Sequence, residues 1–279
     1  MNAKATASQK SIILMLIGIF ITLLFLFPLY WMVMNALKTS ADAYAAPTLF
    51  LKHITFSAFN INDEQGVNIL QYLSNSVLIS VGTTLLTIIL AIPAAYGLAR
   101  FKNKLTGSML LVFLVAQMMP SSLILTPLFI NFSKVHLINT YLGVILADAT
   151  ITIPFSVIIV RTYFTGIPKS LEEAARIDGC GAWRTFLSIM VPISYPGIIV
   201  SASMSLFMAW GDMVFSLTFI NRENMKPLSL ILYKAMGELG VQWNVLMAYA
   251  TVVVLPIVII FLFLQKYIVS GLTAGSVKE

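Results

Sequence analysis

Six long apolar runs limit what this chain can fold into. They lie at about residues 11–34, 73–98, 107–131, 140–163, 193–220 and 245–268, and each reaches the roughly 20 residues that a bilayer crossing needs. Backbone polar groups inside hydrocarbon must be satisfied within the segment, so such runs are read as helices. The strands of a membrane barrel would be about 10 residues long and alternating, and these runs are neither. The expected fold is therefore an all-α membrane protein, with six transmembrane helices in a single domain over 1–279. Composition agrees: the chain is 59% hydrophobic and 10% charged, against about 25% charged in soluble domains, and its mean hydropathy is +0.92. No small-x-small cleavage site follows the first run at signal-peptide distance, so that run is read as an uncleaved span.

Six spans put both termini on one side of the membrane. Of the 17 Lys and Arg, eleven fall on the side of the termini and six on the other, which predicts cytoplasmic termini. The interval 165–191 then becomes a cytoplasmic loop, 35–72 the first extracytoplasmic loop, and 269–279 a cytoplasmic tail. The pI of about 9.4 follows from this bias. With the positive charge divided among small loops, no nucleic-acid partner is expected, and lipid is the surrounding medium. Pro28, Pro93, Pro120, Pro127, Pro154, Pro196 and Pro256 interrupt the runs, and each permits a kink. No internal repeat is evident, which counts against secondary carriers built from paired repeats.

Chemistry-bearing motifs are missing. The dipeptide Gly-Lys does not occur, so there is no phosphate-cradling loop, and no His-Glu-x-x-His or Gly-x-Ser-x-Gly is present. Cys180 is the only cysteine, and the two histidines, His53 and His136, lie far apart in outer loops. The chain is expected to carry no catalytic residue, no metal site and no bound cofactor. If transport is driven by ATP, hydrolysis takes place on another polypeptide.

One hydrophilic interval has a readable design: IPKSLEEAARIDGCGAWRTFLSIMVP, residues 167–192. Ser170 followed by Glu173 is a capping-box pattern, Pro168 ends what precedes it, and Ala174 and Ala175 keep one helix face slim. Gly179 offers a stop with positive φ, and a second short helix at about 182–190 runs into Pro192. A slim, capped helix held between two spans suits a knob pressed into another protein's socket.

Two acids lie inside the runs. Asp148 stands in the fourth, and Asp212 in the fifth within AWGDMVF, beside Trp210 and Phe215. An acid in a span faces a cavity or a partner. An aromatic ring beside a hydrogen-bonding side chain is what a sugar site needs, so Trp210, Asp212, Phe215 and Asp148 are candidate substrate-pathway residues. The competing reading for both acids is a structural hydrogen bond to a neighbouring helix.

The interval 167–192 resembles the "EAA loop" of ABC importer permeases: Glu-Ala-Ala, three residues, Gly, nine residues, Ile, one residue, an aliphatic residue and Pro. Glu173-Ala174-Ala175, Gly179, Ile189 and Val191-Pro192 match at every interval, with Asp178 before the glycine. The C-terminal stretch, with Gln265-Lys266-Tyr267, Gly271-Leu272-Thr273-Ala274-Gly275 and Val277-Lys278, resembles carbohydrate-importer permeases of the maltose-transporter MalG type. Pro28-Leu29-Tyr30-Trp31 fits the same group, while Gly211-Asp212 stands where relatives often show Asn-Glu.

The resemblance implies a type I importer (MetI-like) fold in a bacterial or archaeal inner membrane. It implies a heterodimer with a second, MalF-like permease, two ATPase subunits carrying ATP and Mg, an extracytoplasmic solute-binding protein, and a sugar substrate moved by alternating access. Carried over by position, Glu173, Ala174, Ala175, Arg176, Asp178 and Gly179 would couple to the ATPase, and Thr273, Gly275 and Lys278 would reach it from the tail. Two other readings stand: a permease for glycerol 3-phosphate or another small solute, and an ion-coupled carrier using Asp148 and Asp212.

Overall fold

The computed structural model describes residues 2–45, 48–59, 68–101, 103–234, 236–237 and 240–274. In chain order the helices are α1 (Asn2–Ala36), α2 (Ser40–Tyr44), α3 (Ile69–Arg100), α4 (Lys104–Met118), α5 (Ser121–Lys134), α6 (Tyr141–Gly166) and α7 (Ser170–Ile177). They continue with α8 (Ala182–Thr185), α9 (Val191–Ile193), α10 (Tyr195–Trp210), α11 (Val214–Phe219), α12 (Ile231–Lys234) and α13 (Trp243–Ala274). The strands among the described residues are β1 (Met236–Gly237) and β2 (Gly240–Val241), an antiparallel pair. The fold is helical, as expected.

Four described helices are long and apolar enough to cross a membrane, within α1, α3, α6 and α13. The count of six is reached only by treating two bent pairs as one span each. The run predicted at 107–131 is not one rod: α4 and α5 meet at 102°. Met119, the residue before Pro120, is extended at φ −77°, ψ 124°, because the proline ring disfavours helical backbone in its predecessor. The run predicted at 193–220 also differs. Its regular helix stops at Trp210, and the segment from Ala182 to Ile193 joins α10 at 74° across Ser194. Pro196, in the first turn of α10, cannot continue an incoming helix. Pro28, Pro93, Pro127, Pro154 and Pro256 all remain inside helices.

The chain divides into two compact units, 1–67 with 231–255 and 68–230 with 256–279. In the first, Ala36, Ala58 and Ala248 form a small buried cluster. Tyr44 Oη donates to the Val241 carbonyl at 2.5 Å, and Asn244 Nδ2 to Ser40 Oγ at 3.2 Å. The Lys38 ammonium is buried with Asn35 Oδ1 at 3.1 Å, the Thr48 carbonyl at 3.2 Å and the Trp31 ring 5.1 Å away.

The second unit is organised by α3, α6 and α10. Each buries a residue at every fourth position: Thr83, Thr87, Ala91, Ala95 and Ala99; Val144, Asp148, Thr152, Ser156, Val160 and Phe164; Gly197, Ser201, Ser205 and Ala209. Small side chains in such rows let helix backbones approach closely, which drives association where lipid is the solvent. Gly197 is the tightest example: a Cβ there would come within 2.3 Å of the Tyr163 ring. The helices α3 and α6 run parallel, since their cross-links climb together. Tyr141 Oη donates to Asn75 Oδ1 at 2.8 Å, Thr87 and Thr152 hydroxyls pair at 2.7 Å, and Arg161 Nε reaches the Leu98 carbonyl at 3.3 Å.

Candidate functional site

The interval 167–192 begins where α6 ends. The α7 helix starts one residue earlier than its sequence pattern predicts. Lys169, in helical conformation, is the N-cap and Ser170 is already inside the first turn, with no side-chain capping bond. The expected capping box is therefore absent. Leu171 N donates to the Pro168 carbonyl at 3.3 Å, while Glu172 N and Glu173 N donate to that of Lys169 at 3.0 and 3.1 Å. These bonds satisfy the amides that Ser170 would otherwise have served.

The other end follows the sequence. Gly179 has φ +79°, Cys180 N donates back to the Ala175 carbonyl at 2.9 Å and Gly179 N to that of Arg176 at 3.1 Å. This is a Schellman closure, whose left-handed residue suits glycine. The chain then enters α8, and Phe186–Met190 widens into a π-helical turn before α9. That stretch was predicted as one short helix at about 182–190.

Only Glu172 and Ala175 of α7 are buried, three residues apart on one face. Glu173, Ala174, Arg176, Asp178 and Gly179 are exposed. Ala175 is 3% exposed, so its methyl serves the seat of the helix and not its outer surface. Ile177 is 87% exposed and Trp183 is 70% exposed, and the indole lies 5.5 Å from the Phe186 ring.

A clamp that the sequence reading missed holds the inner face. Arg100, the last residue of α3, binds Glu172 Oε1 through Nε and the Ile167 carbonyl through Nη2 at 3.1 Å. Tyr96 Oη donates to Glu172 Oε2 at 3.3 Å. The Arg100 and Glu172 side chains are 9% and 11% exposed. Tyr96 in turn lies 5.5 Å from the Phe164 ring and 4.9 Å from that of Phe186. Beneath these rings Ala91, Ala95, Ala99, Val157, Val160 and Met190 form a buried cluster. Beside the clamp opens a basin whose lining includes Lys169, Glu173, Arg176 and Phe101. The available signal was the i, i+3 spacing of Glu172 and Ala175; in the sequence Arg100 is one more positive charge just past an apolar run.

The candidate pathway residues are placed differently. Trp210 and Phe215 are buried, at 4% and 1% exposure. Asp212 accepts from Phe215 N at 3.2 Å and Ser216 N at 2.8 Å, so its carboxylate starts α11, while its own carbonyl accepts from Ser229 Oγ at 2.7 Å. The chain folds α11 against α5 through Phe219, whose ring lies 5.6 Å from Phe132 and 6.0 Å from Phe129. Asp148 is buried in the inward row of α6, and its Oδ2 has no hydrogen-bond partner among the described residues. Of the tail residues, Thr273 lies in the last turn of α13, whereas Gly275 and Lys278 fall outside the described residues. Among the described residues no group of His, Cys, Asp and Glu could hold a metal ion.

Comparison with known proteins identifies the family. Residues 87–274 match the family model described as "Binding-protein-dependent transport system inner membrane component". The probable ABC transporter permease protein YurM of Bacillus subtilis is 37% identical over 90% of this chain and 83% of its own. The arabinooligosaccharides transport system permease protein AraQ of the same organism is 30% identical over 97% of both chains. In structure, a chain of a bacterial ABC transporter importing the acidic polysaccharide alginate superposes with a TM-score of 0.77 at 20% identity, covering 94% of this chain and 97% of that one. The chain is a multi-pass membrane protein and belongs to the family of binding-protein-dependent transport system inner membrane components.

Proposed function

We propose that this chain is the non-catalytic permease subunit of an ATP-driven importer that moves a sugar or oligosaccharide into the cytoplasm. The observation that carries the reading is α7. It is anchored through Glu172 and Ala175 and presents Leu171, Ala174 and Ile177 outward. An amphipathic helix with its apolar side exposed, closed by a tight Gly179 turn, is a shape that docks in a cleft. The cleft belongs to one of two ATPase subunits, which hold the ATP and Mg. Glu173 and Arg176 supply charge at the rim, and Ala174 allows close approach. The tail at Thr273, Gly275 and Lys278 reaches the same ATPase pair.

A second, MalF-like permease completes the passage, and an extracytoplasmic solute-binding protein delivers the cargo. Closure of the ATPase pair then moves both permeases between inward-facing and outward-facing states as rigid bodies. The carbohydrate cargo is supported by the names of relatives such as AraQ and by the fold shared with the alginate importer. The excess of Lys and Arg on the side of the termini supports cytoplasmic termini, with the 165–191 loop on that face.

Co-purification with the ATPase tests the reading. Ala174→Leu should leave a folded membrane protein that no longer retains ATPase subunits. Undiminished ATPase binding and sugar-stimulated hydrolysis in that variant would overturn the docking role. Uptake by the purified chain alone down an ion gradient would establish the carrier instead.

A further inference from the structure

If α7 is the docking element, its displacement must reach the spans. Two covalent links join α7 to its neighbours, Ile167–Lys169 on one side and a turn through Gly179 and Gly181 on the other. A third connection is non-covalent. Both carboxylate oxygens of Glu172 are engaged, Oε1 by Arg100 and Oε2 by Tyr96, and both donors stand in the last turns of α3. Arg100 has a second arm on the Ile167 carbonyl, so a single guanidinium grips the helix and the segment leading into it. A forked donor of this kind fixes direction as well as distance. The pair is largely shielded from solvent, so salt screens it little. The Tyr96 ring passes the contact on to Phe164 at the end of α6 and to Phe186 in the π-helical turn, and such turns recur at functional positions.

We propose that Arg100, Glu172 and Tyr96 are positioning residues forming the mechanical link by which α7 and the end of α3 move as one body when the ATPase subunits close. This rests on the docking of α7 proposed above. The clamp is directional and buried, and it joins α7 to α3, one of the three helices of the packed α3–α6–α10 core.

The test uses Cys180, the only cysteine of the chain, as one spin-label site and Ile89→Cys, on an exposed face of α3, as the other. Distances are measured in the full complex with its ATPase subunits, without nucleotide and with ATP plus orthovanadate. In the otherwise native protein a single narrow distribution should stay the same in both states. Glu172→Gln should retain its ATPase subunits but lose the narrow peak once orthovanadate traps the nucleotide. Arg100→Lys, which keeps the charge and loses the second arm, should broaden it less, and Arg100→Glu with Glu172→Arg should restore it.

Two results would overturn the link. One is a distance that changes with nucleotide in the native protein, and the other is a distribution unaltered in both Glu172→Gln and Arg100→Lys. Loss of the ATPase from Glu172→Gln together with an unaltered Arg100→Lys distribution would reduce the clamp to a structural seat. The docking reading fails on a separate measurement, retention of the ATPase by Ala174→Leu.

Discussion

Two acidic positions in the same unit are used in opposite ways. In α7 the paired acids divide the work: Glu172 turns inward to Arg100 and Tyr96, and Glu173 is left facing out. At the junction of α10 and α11, Asp212 spends both carboxylate oxygens on the amides that open α11. A site meant for a partner needs one residue to anchor the element and another left unsatisfied at its surface. The α7 segment has both, and the Asp212 junction has the anchor only. The contrast separates a docking device from a fold device by where the hydrogen-bonding capacity goes.

The sharpest way to break this contrast is Arg100→Ala. It leaves the Glu172 carboxylate buried without its cation, a loss expected to cost about 3–5 kcal/mol. Thermal unfolding of the purified protein in detergent should show it as the largest shift of the set. Glu173→Ala, on the exposed face beside it, should change stability by no more than about 0.5 kcal/mol while abolishing retention of the ATPase. Equal destabilisation by both substitutions would erase the division of labour between neighbouring acids.

At the other position, Asp212→Ala should cost about 1–2 kcal/mol, the usual value of a lost N-terminal helix cap. Asp212→Asn should cost less than the alanine, because its one amide oxygen keeps one of the two N–H bonds while its NH2 loses the other. Uptake by the assembled importer separates the two roles of this residue. Retained uptake in the Asn variant makes Asp212 a cap, whereas loss of uptake in a stable Asn variant makes its charge part of the passage.

The long apolar runs that became α1, α3, α6 and α13 were legible in the residues themselves. The inward faces of α3, α6 and α10 are rows of every fourth residue, mostly Ala, Ser, Thr, Val or Gly, a spacing that hydropathy alone does not single out. The turn at Gly179 was legible because a left-handed position strongly favours glycine. What resisted reading was set by distant partners. Seven prolines interrupt the apolar runs, yet the two large bends fall at Pro120 and Pro196; the others are accommodated within helices whose packing continues past them. Likewise, nothing local to α7 says which of two adjacent glutamates faces inward. That is decided by Arg100, more than seventy positions from Glu172 in the chain, whose guanidinium waits at the end of α3.

Gly179→Ala has an intermediate effect, near the 1–2 kcal/mol cost of a left-handed position for a residue with a Cβ. Open space surrounds the site, so the cost is one of backbone strain alone. It should appear as faster amide exchange at Cys180, whose N–H closes the helix on Ala175, with the Arg100 clamp unaffected.

The smallest effect belongs to Ser170→Ala, and it decides how α7 begins. If Ser170 were the cap of a capping box with Glu173, removing its hydroxyl would cost about 1 kcal/mol. In the structure Ser170 is the first residue of the helix proper, its hydroxyl makes no capping bond, and the amides it would have served are held by the Pro168 and Lys169 carbonyls. Alanine is also the better residue inside a helix. The substitution should therefore leave stability within about 0.5 kcal/mol of the native protein or raise it slightly. It should equally leave Glu173 free at the surface, so ATPase retention stays at the native level. A loss near the full capping value, accompanied by weaker ATPase binding, would mean that Glu173 is tied to the helix start and that the outward face of α7 is made by other residues.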